Sequence, residues 1–343
     1  MNHELVLEGN AFVNHSFQHC CIGIDDGKIT AIKKILTGDN HYKFTKELLL
    51  PAGIDVHVHF RDPGMTQKET FHTGSIAAAF GGISCVFDMP NTKPASITPE
   101  NLIDKQKIAS RKSIVDYGLY AGITKKIVSN ETVAHKLGKY CHGFKLFLGE
   151  TTNSLTLSSE FIQPVLSKVK PLHKPVLVHA EEDTCLQKHK RIEKSIFDHH
   201  TNRPPQCETR AINQVISAAK NVQIPVHICH VSSAAGIDKL KDTPSFITYG
   251  ITPHHGLLHL ENNKIPPSWL KVNPPIRPKP DQQRLFETIK HGNVFLLESD
   301  HAPHTVKEKD KSFSYVPCGI PGVETMYPLY LAQVVKQQLS YSQ

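Results

Sequence analysis

An α/β architecture is what this 343-residue sequence predicts: a closed (β/α)8 TIM barrel preceded by a small N-terminal β module. Three observations carry that reading. From Ile54 onward, short and nearly continuous apolar runs alternate with longer helix-like stretches, the pattern of parallel strands buried on both faces. There are eight such runs, the number that closes a barrel. Polar, chemistry-bearing residues recur at the C-terminal ends of several of them, where a barrel gathers its active site.

The elements follow in order. Glu4-Leu5-Val6-Leu7 and Cys21-Ile22-Gly23-Ile24 alternate as short strands, and an Asp26-Gly27 turn precedes Lys28-Ile29-Thr30-Ala31-Ile32. Residues 1–50 therefore read as a small β module and residues 51–343 as the barrel domain. The eight barrel strands are expected at Ile54 to Phe60, Ser84 to Pro90, Tyr117 to Ile123, Gly143 to Leu148, Pro175 to Ala180, Pro225 to Val231, Phe246 to Ile251 and Asn293 to Asp300. An open doubly wound sheet is the alternative. It would need a phosphate-binding glycine fingerprint after a strand, whereas Gly81-Gly82 precedes one.

Composition sets limits on function. Hydrophobic residues at 39% and charged residues at 21% describe an ordinary globular protein, not a disordered, collagen-like or coiled-coil chain. Apolar stretches such as Pro175 to Ala180 fall far short of the roughly 20 residues that span a bilayer, so no membrane segment is expected. Met1-Asn2-His3-Glu4-Leu5 lacks the basic and apolar segments of a signal peptide, which points to the cytoplasm. Cys20, Cys21, Cys85, Cys141, Cys185, Cys207, Cys229 and Cys318 form no C-x-x-C pair and are expected to be reduced. The net charge of +7 is dispersed along the chain, so a nucleic-acid surface is not expected. The less ordinary number is 22 histidines. Of these, His189, His199, His200 and His291 read as surface residues.

The remaining histidines locate the chemistry. His57 and His59 lie two apart in Asp55-Val56-His57-Val58-His59, so a strand's period of two turns both inward. Alone, such a pair is as well explained by hydrogen-bonded core histidines. Strand four carries Lys145, strand five ends at His179, strand six at His230, and strand eight at Asp300. Together they place polar groups from separate strands at one mouth and point to a metal centre. An ammonium on Lys145 beside divalent cations would meet both desolvation and repulsion, and would lose its proton. The neutral amine can take up carbon dioxide, and the resulting N6-carboxylated lysine has two oxygens able to bridge two metals. Four imidazoles, one carbamate and one aspartate suit two Zn2+ ions with a position left for solvent. Such a pair supplies a hydroxide near neutral pH and polarises a carbonyl, with Asp300 as candidate general base and acid. Hydrolysis of a carbonyl or phosphoryl substrate is the implied reaction.

At these residues the sequence resembles the amidohydrolase superfamily, and within it the dihydroorotases of pyrimidine biosynthesis. The matching segments are Pro51-Ala-Gly-Ile-Asp-Val-His-Val-His-Phe-Arg-Asp-Pro-Gly64, Phe87-Asp-Met-Pro-Asn-Thr92, Gly143-Phe-Lys-Leu-Phe-Leu148, Asn273-Pro-Pro-Ile-Arg277, Ser299-Asp-His-Ala-Pro-His304 and Gly319-Ile-Pro-Gly-Val-Glu324, with the motifs at His179 and His230. The resemblance implies that His57, His59 and Asp300 hold one zinc, that His179 and His230 hold the other, and that carboxylated Lys145 bridges them. It implies a substrate pair, dihydroorotate and N-carbamoyl-aspartate, whose carboxylate needs a cationic receptor. Arg61 offers a matching fork two residues past His59. Asn91 and His304 are its implied companions. Asn273 and backbone groups around Cys318 and Gly319 are implied against the ring, and Thr151 in a loop over it. Hydantoinases and allantoinases share the metal ligands, but Phe60-Arg61-Asp62-Pro63 and Met89-Pro90-Asn91-Thr92 resemble the dihydroorotase pattern.

The resemblance runs from residue 51 to about 330, and Gly322 to Lys336 reads as the start of the last barrel helix. Family members usually continue, returning a segment that completes the N-terminal module. Residues 1–50 are therefore expected to form a reduced module whose exposed strand edges need covering by another subunit, in a homo-oligomer. A catalytically silent relative that serves aspartate transcarbamoylase as a structural partner is the alternative function. Such relatives lose metal ligands, and all the positions named above are present.

Overall fold

The computed structural model describes residues 2–150, 155–262 and 264–342. The chain divides into two compact units, one reaching to Gly53 and including Ser340–Ser342, the other spanning Ile54–Leu339.

The first unit is a four-stranded sheet of β1 (Asn2–Val13), β2 (Ser16–Asp25), β3 (Lys28–Lys33) and β4 (Thr37–Leu49), in the order β3-β2-β1-β4. Two tight hairpins build its antiparallel part. Asn14 (φ 51°) and His15 (φ 62°) join β1 to β2, and Asp26 (φ 50°) and Gly27 (φ 69°) join β2 to β3. Left-handed backbone at both turn residues matches the strands' twist, and Asn and Asp tolerate it better than most non-glycine residues. Strand β4, which was not expected from the sequence, runs parallel to β1, with Leu5 opposite Asn40 and Leu7 opposite Tyr42. Most of its residues are exposed, so it shows no clean alternation to read. Among the described residues β3 and β4 are the edges, and Ile29, Ile32, Tyr42 and Leu48 stand exposed on them. Tyr341 packs edge-on against Phe17 with ring centroids 4.8 Å apart, so the end of the chain does reach this module, by a few residues.

The second unit is the barrel. Its strands are β5 (Gly53–Val58), β6 (Ile83–Asp88), β7 (Asp116–Gly122), β8 (Gly143–Leu148), β9 (Val176–Ala180), β10 (Val226–Ile228), β11 (Ile247–Ile251) and β12 (Leu296–Leu297), each beside the next. A parallel bridge between Val58 and His301 closes the ring, with the His59 amide donating to His301 O at 2.7 Å. Every residue of β8 and β9 is buried, as their unbroken apolar runs require. Strands β10 and β12 are shorter than expected. Near each C-terminal end a non-glycine residue turns left-handed, His230 at φ 39° and Asp300 at φ 44°, and Arg61 after β5 does the same at φ 60°. Such backbone costs about 1 kcal/mol per residue, and it concentrates where a side chain must be aimed. The helix Pro205–Val222 faces the barrel with Ala211, Ile212, Val215, Ala219 and Val222 buried at helical spacing.

A buried ion pair fixes the first strands. Lys105, from the helix Pro99–Lys112, pairs with Asp88 and donates to Met89 O at 2.7 Å, while Asp88 Oδ1 accepts from the Phe60 amide at 2.7 Å. Lys105→Met leaves Asp88 as a buried charge without its cation, so a loss of about 3–5 kcal/mol is expected in urea unfolding. An unchanged midpoint would remove the pair from the barrel's stabilising contacts.

The expectation that all cysteines are reduced is corrected. Cys185, in the helix Asp183–His189, forms a disulfide with Cys207 in Pro205–Val222, and the remaining six are free. Only the packing of these two helices brings the sulfurs together, and no spacing motif announces it. Among the described residues no helix is long and apolar enough to cross a membrane.

Candidate active site

The C-terminal mouth of the barrel opens into a cavity of about 970 Å³. Every described residue singled out from the sequence lines it: His57, His59, Arg61, Asn91, Lys145, His179, His230, Asn273, Asp300, His304, Cys318 and Gly319. Thr151 lies outside the described residues.

The floor holds two groups of donors. His57 Nε2 and His59 Nε2 lie 3.2 and 3.1 Å from Asp300 Oδ1. His179 Nδ1 lies 3.1 Å from His230 Nε2, and the His57 and His230 rings, 5.2 Å apart, join the groups. The far nitrogens are already committed. His57 Nδ1 donates to Glu298 at 2.8 Å, His59 Nδ1 to Asn91 Oδ1 at 2.6 Å, and His179 Nε2 to Glu181 at 2.8 Å. Each imidazole is thereby oriented with a bare nitrogen toward the floor. Around Asp300 this leaves acceptors facing acceptors, an arrangement that a bound cation resolves.

Charge states agree with that reading. Burial pushes His57 down to about 4, with Lys145 adding to it, and burial lowers His179 and His230 as well. Neutral imidazoles are the form that binds metal. Lys145 is fully buried, and its Nζ lies 3.1 Å from Cys229 Sγ. Burial pushes that thiol up to about 12, so it offers no counter-charge. The donor set, with the Lys145 amine in the same cavity, fits a metal centre.

The cavity wall carries the second group. Arg61 is buried, donates through Nε to Pro303 O at 3.2 Å, and brings Nη2 within 3.3 Å of His304 Nε2. Lys68 Nζ donates to His304 Nδ1 at 3.0 Å, and His304 Nε2 donates to Cys318 O at 3.0 Å. Burial, reinforced by Arg61 and Lys68, keeps that imidazole neutral with its pKa near 3. Asn273 Oδ1 is buried without a hydrogen-bond partner among the described residues, as expected of a group reserved for a ligand.

Sequence reasoning missed several participants. Glu298 and Glu181 each lie two residues from a candidate ligand on the same strand end, and that period-two spacing was the available signal. His199, read as a surface residue, is only 2% exposed and lines the cavity. The helix Ile196–Asn202 turns it inward against Glu193 and Val272 O, contacts no local pattern encodes. His200 is half-buried, within 3.3 Å of Arg277 Nη1.

The barrel matches solved cyclic amidohydrolases closely. An L-hydantoinase (dihydropyrimidinase) from Arthrobacter aurescens superposes with a TM-score of 0.90 at 23% identity, over 99% of this chain and 79% of that one. A D-hydantoinase gives 0.87 at 23% identity, over 99% and 78%. At such identity they establish the fold. Fold and relationship together define the class: the chain is a cyclic amide hydrolase. It belongs to the dihydro-orotase-like family, which residues 46–235 match. A dihydroorotase from Methanosarcina acetivorans is 35% identical over 97% of this chain and 74% of its own length, and one from Pyrococcus abyssi is 36% identical over 98% and 76%.

Proposed function

We propose that the chain hydrolyses dihydroorotate reversibly to N-carbamoyl-aspartate, a step of pyrimidine biosynthesis, using two zinc ions per chain. The observation that supports it most is the pairing of two donor groups on the cavity floor with a buried Arg61–His304 receptor on its wall. His57, His59 and Asp300 would hold one ion, His179 and His230 the other, and N6-carboxylated Lys145 both. Bound there, zinc supplies a hydroxide near neutral pH and polarises the carbonyl. The chain does the rest. Glu298, Asn91 and Glu181 hold the three imidazoles in one tautomer and orientation. Arg61 receives the substrate carboxylate with two parallel N–H donors, fixing the ring over the floor. Asp300 takes the proton released by the attacking water and returns it to the ring nitrogen as the C–N bond breaks. Asn273, Cys318 and Gly319 border the ring.

A homo-oligomer that covers the edges β3 and β4 belongs to this reading, as does a cytoplasmic setting with aspartate transcarbamoylase as candidate partner. The buried Cys185–Cys207 bridge is unusual for that compartment. The deciding assay is ring opening of dihydroorotate by purified protein before and after zinc loading, with hydantoin and allantoin alongside. Zinc-dependent turnover confined to dihydroorotate is expected. Turnover of hydantoin or allantoin instead, or none after loading, would refute the assignment.

A further inference from the structure

In the cavity wall, His199 and Glu193 have no part in the reaction just described, yet they stand beside Cys318. His199 Nδ1 lies 2.9 Å from Glu193 Oε1, and its Nε2 lies 2.9 Å from Val272 O. Both partners are acceptors, so both ring nitrogens carry protons and the ring is an imidazolium. Cys318 Sγ sits 4.0 Å from that same Nε2. Glu193 also binds Lys271 Nζ at 2.9 Å, which sets a second cation beside the first.

The cysteine is held rigidly and stays reachable. The Gly319 amide donates to Lys271 O at 2.9 Å. Lys309 Nζ donates to Pro317 O at 3.1 Å and to Gly319 O at 2.9 Å, bracketing Cys318 on both sides. Cys318 is half-buried and lines the open cavity, whereas Cys20, Cys21, Cys141 and Cys229 are buried. The charged groups around it come from every neighbouring element: His199, Lys271, Arg203 and Lys309 are cationic, Glu193 is the anion behind His199 and Lys271, Glu181 is the anion behind Arg203, and His304 is neutral on the backbone side. Burial alone would raise the thiol, yet His199, Lys271 and Arg203 lower it below its ordinary value.

We propose that Cys318 is a nucleophilic modification site in the pocket wall, activated by the His199–Glu193 pair and open to small soft electrophiles, hydrogen peroxide among them. With peroxide, the thiolate sulfur attacks one oxygen, the S–O bond forms as the O–O bond breaks, and hydroxide leaves. The sulfur is oxidised by two electrons to a sulfenic acid, which keeps the O–H of the attacked oxygen, and the peroxide is reduced to hydroxide. With iodoacetamide as probe, the C–S bond forms as the C–I bond breaks and iodide departs, so no proton need be placed. Either product projects into the cavity beside His304 and Gly319 and obstructs the ring's position. The site is defined by the cavity's geometry and holds whichever cyclic amide is the substrate.

The test is the rate of iodoacetamide labelling at each free cysteine of the intact protein, followed by peptide mass spectrometry from pH 5 to pH 10. The rate at Cys318 is expected to rise with pH through a midpoint well below the ordinary thiol value of about 8.5 and to exceed that at Cys85 at least tenfold at pH 7. His199→Gln removes the imidazolium and is expected to move the midpoint upward, slowing labelling at pH 7 about tenfold. A wild-type midpoint at or above the ordinary value would overturn the proposal even if His199→Gln failed to fold. So would a folded His199→Gln protein with an unmoved profile. Peroxide treatment should give a dimedone-trapped adduct at Cys318 before any other cysteine, and trapping elsewhere first would count against the site.

Discussion

Lys145→Ala is expected to lower dihydroorotate turnover by about 10³-fold or more and to leave the protein unable to retain two zinc ions. The expectation follows from where β8 puts the side chain. Lys145 is fully buried, paired in register with Leu177 on the next strand, and its amine donates to the Cys229 thiol. Its carbamate would be the group shared by the two donor clusters, so its removal uncouples them. Losing several kcal/mol of Lewis-acid stabilisation corresponds to about three powers of ten in rate. Two measurements separate this from unfolding. Zinc per chain should fall in a variant whose urea midpoint survives, and growth in ¹³C-bicarbonate should give a carbamate resonance in the wild type that Lys145→Arg lacks. Full activity with two zinc ions in Lys145→Ala would eliminate the bridging role.

Arg61→Ala is expected to do the opposite to the metal: zinc stays and kcat/KM for dihydroorotate falls about 10²-fold. The guanidinium is buried among Pro303 O and His304, so a substrate carboxylate would meet it largely desolvated. A charge-assisted pair in such surroundings contributes about 3 kcal/mol, which is that factor of 10². Arg61→Lys keeps the charge but loses the planar fork and should recover only part of the rate. Substrates without the carboxylate should be indifferent to either change. An unaltered kcat/KM in Arg61→Ala would place the carboxylate elsewhere in the cavity.

These two expectations concern residues that were legible in the sequence, for a simple reason. A parallel strand repeats every two residues, and a barrel delivers strand C-terminal ends to one place, so His57, His59, Lys145, His179, His230 and Asp300 could be gathered from local pattern and strand count. Asn91, Asn273, His304, Cys318 and Gly319 came from family resemblance, and they line the same cavity. Except for Glu181, two residues from His179, the participants that escaped have roles set by a partner far along the chain. Glu298 orients His57 from 241 residues away, and His199 turns inward to face Cys318 across 119 residues. The Cys185–Cys207 bridge and strand β4 escaped likewise, the one for want of a motif, the other for want of a buried face.

By itself, then, the sequence determined the barrel, its eight strands and the polar side chains gathered at their ends, because alternation and apolar runs are properties of the local backbone. The tertiary structure decided which nitrogen of each imidazole faces the floor, that the Lys145 amine meets the Cys229 thiol, and that His199 turns inward to Cys318. Those outcomes depend on acceptors and charges brought together by packing, at separations over which no sequence period extends.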